Sequence, residues 1–102
     1  MSDTGLTSTE VALMTPVFSR HPDIIEVLLF GSRAKGTHRP QSDVDLALVG
    51  VADNLIAEAV AETLEALPMP YRFDVKPYDG ITYQPLLDHI QRVGISLYRR
   101  SE

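Results

Sequence analysis

Apolar residues fall into short runs separated by glycine, proline and polar stretches, and the spacing inside each run predicts an element. Residues 1–7 are polar and expected to be loose. Thr7 and Glu10 have the spacing of a capping box, which starts a helix whose apolar face is Val11, Leu13, Met14, Val17 and Phe18. Pro16 interrupts that face by removing a hydrogen bond, so the helix is predicted to kink or restart there and to end before His21. Residues 24–30 (IIEVLLF) are almost continuously apolar and stop at Gly31, the pattern of a strand covered on both faces. Residues 31–42 are polar, hold Gly31, Gly36 and Pro40, and predict a loop, or a loop with one helical turn.

Residues 44–49 (VDLALV) predict a second strand, ended by Gly50. Asp53 and Asn54 can cap a helix that runs to about Leu67, with Ile56, Val60, Leu64 and Leu67 at helical spacing and Pro68 and Pro70 beyond it. Residues 71–76 (YRFDVK) alternate as a third strand, followed by a turn at Asp79-Gly80. Pro85 fits the first turn of a last helix with Leu86, Leu87, Ile90 and Val93 as its stripe and Gly94 as its C-terminal cap. Residues 95–98 then form a short edge strand. The predicted fold class is α/β (α+β): a small mixed β-sheet covered by helices, as one domain over residues 1–102.

Composition narrows the function classes. Apolar residues make up 44% of the 102, and charged ones 23%, which excludes a disordered chain. Nine basic against 14 acidic residues leave a net charge of −5. Binding by bulk charge to phosphate backbones needs the opposite sign, so no direct DNA binding is expected, though a local positive pocket is allowed. The absence of cysteine removes disulfides, thiolate zinc sites and a cysteine nucleophile. His21, His38 and His89 match no zinc-ligand spacing. No apolar run is long enough to span a bilayer, and residues 1–5 lack a signal-peptide pattern, so a cytoplasmic protein without a membrane partner is expected.

The candidate chemistry sits between the first two strands. Asp43 and Asp45 are two apart at the start of a strand, so both leave the same face, about 7 Å apart at the backbone. Two like charges aimed at one place repel unless a cation lies between them, and a hard divalent ion with oxygen ligands, most simply Mg²⁺, resolves the conflict. Asp74 interrupts the third strand in the same way. If the two strands pair, three carboxylates converge, enough to hold two Mg²⁺ ions about 4 Å apart for in-line phosphoryl or nucleotidyl transfer. Gly31-Ser32 supplies the other half: close backbone approach, N–H groups and a hydroxyl that can hold a phosphate, with Arg33 and Lys35 adding positive charge beside it. Separately, a glycine-serine step or an Asp-x-Asp is most often a turn. Gly-Ser, ten residues, then Asp-x-Asp is a far rarer pattern.

The segment Leu29-Phe30-Gly31-Ser32-Arg33-Ala34-Lys35-Gly36, followed by Ser42-Asp43-Val44-Asp45-Leu46, resembles the signature of the minimal nucleotidyltransferase (MNT) domains of the polymerase-beta-like superfamily. The resemblance covers essentially the whole chain. It implies the minimal nucleotidyltransferase fold, with Asp43, Asp45 and Asp74 as metal ligands, and Asp74 also helping to deprotonate an attacking hydroxyl. Gly31 and Ser32 would hold the nucleotide, with Arg33 and Lys35 read either as further nucleotide-binding residues that touch its phosphates or as plain surface charges. Many small MNT proteins are antitoxins paired with a HEPN-family ribonuclease toxin. The resemblance therefore implies a hetero-oligomer in which ATP–Mg²⁺ binds here, a tyrosine hydroxyl of the HEPN partner attacks the α-phosphate, AMP is transferred and pyrophosphate leaves. A binding module that inhibits its partner simply by forming a complex is the alternative.

Other features read as structural. Arg33 and His38 have an Arg-x4-His spacing used by HEPN ribonucleases, but that pair needs a helix that Gly36 and Pro40 disfavour. His89 and Arg92 lie one helical turn apart and are expected on a solvated face; Tyr71, Tyr78, Tyr83 and Tyr98 are expected as half-buried packing residues, and Arg99-Arg100 as a frayed tail.

Overall fold

The computed structural model describes residues 4–37, 39 and 42–101. Residues 1–3, His38, Pro40, Gln41 and Glu102 lie outside the described residues, and with them the Arg33–His38 spacing. The elements are α1 (Ser8–Ser19), β1 (Glu26–Phe30), α2 (Gly31–Lys35), β2 (Val44–Val49), α3 (Asn54–Glu65), β3 (Phe73–Pro77), a 3₁₀ turn (Tyr78–Gly80), α4 (Gln84–Val93) and β4 (Ile95–Arg99). One sheet is ordered β3-β2-β1-β4, with β2 parallel to β3 and β1 antiparallel to both β2 and β4. This is the expected small mixed sheet covered by helices.

Period-two alternation sorts the strand residues onto two faces. Val27, Leu29, Val44, Leu46, Leu48 and Phe73 turn to the main core, which α1 covers with Met14, Val17 and Phe18 and α3 with Ala57, Val60 and Leu64. The opposite face presents Phe30 and Ala47, packed beneath Ile90 of α4. Asp45 and Asp74 have the parity of that second face, near the start of β2 and β3.

Some boundaries differ from expectation, and the caps do not. α1 is one continuous helix through Pro16. Met14, Val17 and Phe18 are buried on either side of the proline, and tertiary burial outweighs one missing hydrogen bond. The Thr7–Glu10 capping box is present in both directions. Within residues 4–7, Thr4 O accepts a hydrogen bond from Arg33 Nη1, and Leu6 packs on the core. Gly94 caps α4 as expected, at φ −58°, its N–H donating to Ile90 O at 2.8 Å. The tail is fastened too, because Arg99 pairs with Glu26 at 3.0 Å and Arg100 N donates to Ile25 O.

Candidate active site

β1 runs straight into α2 at Gly31, whose φ of +75° is open to glycine at little cost. A second constraint acts at the same atom. A Cβ built there would lie 2.1 Å from Asp45 Oδ2, so the bare Cα is what seats the Asp45 carboxylate. Asp45 stands opposite Phe30 on one side and Asp74 on the other, the two aspartates being register partners across parallel β2 and β3. Asp43 lies two residues before Asp45 on the same face and is exposed. Ser32 is partly buried beside Gly31, and its hydroxyl makes no hydrogen bond among the described residues.

The electrostatics follow from this crowding. Burial, then the Asp74 charge, then the Asp43 charge push the Asp45 carboxyl up to about 6, with Lys76 and Arg33 pulling the other way. The three carboxylates therefore share one field. They do not form a closed cage: among the described residues no three Asp, Glu, His or Cys side chains are grouped to hold an ion. Instead Asp74 turns to Lys76, Oδ1 to Nζ 3.6 Å. Asp45 and Asp74 share a face and a strand register, but the three side chains are not drawn together, because mutual repulsion favours an ammonium partner for Asp74. The donor set still suits a hard divalent cation: oxygen ligands only, one of them held at a fixed seat and crowded by like charge.

Arg33 departs from its expected place. The residue is 1% exposed, with its guanidinium engaged inside the fold. Nε and Nη2 both donate to Ser42 O, at 3.2 and 3.0 Å, Nη1 donates to Thr4 O at 2.8 Å, and the guanidinium lies 4.7 Å from the centre of the Tyr71 ring. Tyr71 in turn donates to the Glu10 carboxylate, which closes the capping box of α1. Arg33 is therefore a strut from the Gly-Ser turn to the residue before Asp43, not a group that faces a phosphate; a planar fork with five donors suits that task. Lys35, at the end of α2, is exposed.

His89, expected on a solvated face, is instead partly buried against the Gly31 turn. Its Nε2 accepts the Gly31 N–H at 3.2 Å, and its ring meets Phe30 edge-on, centroids 6.1 Å apart. The Gly31 amide is thus engaged by α4, and the closeness of Gly31 to Asp45 is its visible contribution. Arg92 is exposed as expected; of the tyrosines, Tyr83 is exposed and the other three are partly buried.

The profile of the family described as "Polymerase beta, Nucleotidyltransferase" matches residues 14–102. No curated protein matches the chain. Among solved structures, a chain of a toxin–antitoxin with AMP-PNP is similar at 20% identity and a TM-score of 0.72, covering 94% of this chain and 76% of that one. A structure of tri-AMPylated Shewanella oneidensis HEPN toxin in complex with MNT antitoxin is similar at 17% identity and a TM-score of 0.67, covering 90% and 71%. The toxin–antitoxin MntA–HepT gives 16% identity and 0.68, covering 92% and 74%. At these identities the likeness is one of fold.

Proposed function

The chain belongs to the polymerase beta nucleotidyltransferase family, and from that premise we propose that it is a Mg²⁺-dependent nucleotidyltransferase that moves AMP from ATP to a tyrosine hydroxyl of a HEPN-type partner. The observation that carries this reading is the placement of Asp45: in register with Asp74, two residues from Asp43, and seated on the bare Cα of Gly31. The AMP-PNP and tri-AMPylated toxin in the similar structures support the choice of nucleotide and acceptor.

Asp43 and Asp45 would hold the metal, joined by Asp74 once it leaves Lys76. Bound there, Mg²⁺ neutralises phosphate charge and lowers the pKa of the attacking hydroxyl from its usual value near 10. Ser32 offers its hydroxyl to a phosphate oxygen, and Lys35 offers a charge that can swing to the same end of the nucleotide. The tyrosine oxygen forms a bond to the α-phosphorus as the bond to the β-phosphate oxygen breaks; pyrophosphate leaves, and the hydroxyl proton passes toward Asp74. The partner supplies its own surface, so the complex is a hetero-oligomer, placed in the cytoplasm where ATP and Mg²⁺ are abundant. Among the described residues no helix is long and apolar enough to cross a membrane.

The test is to incubate the protein with its genomic neighbour, labelled ATP and Mg²⁺, and to locate the label by mass spectrometry. Label on a partner tyrosine is expected, and none with Asp43→Asn/Asp45→Asn. The Asp74–Lys76 pair favours a second reading, inhibition by complex formation alone. The same double variant separates the two: if it neutralises the partner as well as the wild type at matched expression, binding is sufficient.

A further inference from the structure

We propose that His89 is a positioning residue for the nucleotide turn, holding Gly31 by its N–H while its Cα faces Asp45. The proposal rests on the nucleotidyltransferase reading above and adds a residue 58 positions from the motif it serves. Gly31 is gripped on two sides. Its Cα is pressed against the Asp45 carboxylate, and its N–H donates to His89 Nε2. As the first residue of α2, Gly31 has no carbonyl within its own helix to take that N–H, so the imidazole supplies the missing acceptor. To accept, Nε2 carries a lone pair, which places the ring proton on Nδ1.

The ring is delivered by a rigid support. Ile90, the next residue, is 1% exposed and locked against Phe30 and Ala47 on the sheet, while the ring edge meets Phe30. Phe30 is itself the register partner of Asp45. His89, Phe30, Gly31 and Asp45 therefore form one contiguous block, and a shift of the imidazole moves the turn that carries Ser32 and the seat that fixes Asp45. Sites held on packed elements keep their geometry better than sites on free loops.

The experiment uses the full-length protein as wild type, His89→Leu, His89→Gln and His89→Asn. Glutamine places an acceptor near the position of Nε2, whereas asparagine reaches only as far as Nδ1. Two readouts are taken: hydrogen exchange of the Gly31 amide, and the Kd for a non-hydrolysable ATP analogue with Mg²⁺. In His89→Leu the Gly31 amide is expected to exchange faster and the Kd to rise, each about tenfold, the scale of one lost hydrogen bond. His89→Gln is expected to restore both to within about threefold and His89→Asn to resemble His89→Leu. If Leu does not fold, the Gln–Asn contrast carries the test, and equal behaviour of those two overturns the proposal. Unchanged Kd in His89→Leu also overturns it, even with faster Gly31 exchange, because His89 would then only satisfy an amide. If the wild type binds no nucleotide, the nucleotidyltransferase reading fails, and the role of His89 fails with it; wild-type binding with an indifferent His89 removes this proposal alone.

Discussion

Arg33 shows how a charge inside a motif can act through structure. Its guanidinium satisfies two backbone carbonyls from distant segments, Thr4 and Ser42, and stacks on Tyr71. Arg33→Ala leaves both carbonyls and a cavity, so unfolding in urea should show a loss of about 2–4 kcal/mol. An exposed phosphate-binding arginine would lose almost nothing in that measurement. Asp45 gives the opposite sign. Its carboxyl is raised from 3.8 to about 6, so the native state holds the proton more tightly than the unfolded chain does. The stability this group contributes is full below 3.8 and is lost as pH rises through 6. Asp45→Asn should therefore melt at the wild-type temperature below about pH 4 and above it at pH 7.5, while abolishing nucleotide transfer. The three aspartates were legible in the sequence because carboxylates that break apolar strands, at a period of two, have few places to go. The burial of Arg33 and the reach of His89 were not, because each depends on partners brought together only by the fold.

At the scale of elements, β2 has the bounds its pattern predicts, and α3 and β4 come within a residue or two at each end. β1 begins at Glu26 rather than Ile24; Ile25 still exchanges backbone hydrogen bonds with Val49 and Arg100 at the strand's entry, and Ile24 is fully buried while Ile25 is exposed. Pro16 predicts a kink or a restart; α1 does not restart there, because burial of Met14, Val17 and Phe18 is a tertiary effect no local rule contains. The β1–α2 junction holds the most information per residue. Gly31→Ala meets both a positive φ and the Asp45 oxygen. It should cost about 1–2 kcal/mol in stability by thermal melting and displace the carboxylate, with loss of Mg²⁺-dependent nucleotide binding larger than that cost accounts for.

For the molecule as a whole, the sheet divides the labour. One face holds the core under α1 and α3, and the other holds a smaller apolar cluster under α4 that ends beside the aspartates. A net charge of −5 and a cluster of carboxylates would repel a triphosphate in the absence of a cation. Nucleotide binding is therefore expected to depend on the divalent ion and on Asp45. Calorimetric titration of the intact protein with a non-hydrolysable ATP analogue, with Mg²⁺ and then with EDTA, tests this most directly. Saturable binding with Mg²⁺, lost in EDTA and lost in Asp45→Asn, is the result predicted. Equal heats with and without the metal, or unchanged binding by Asp45→Asn, would contradict it.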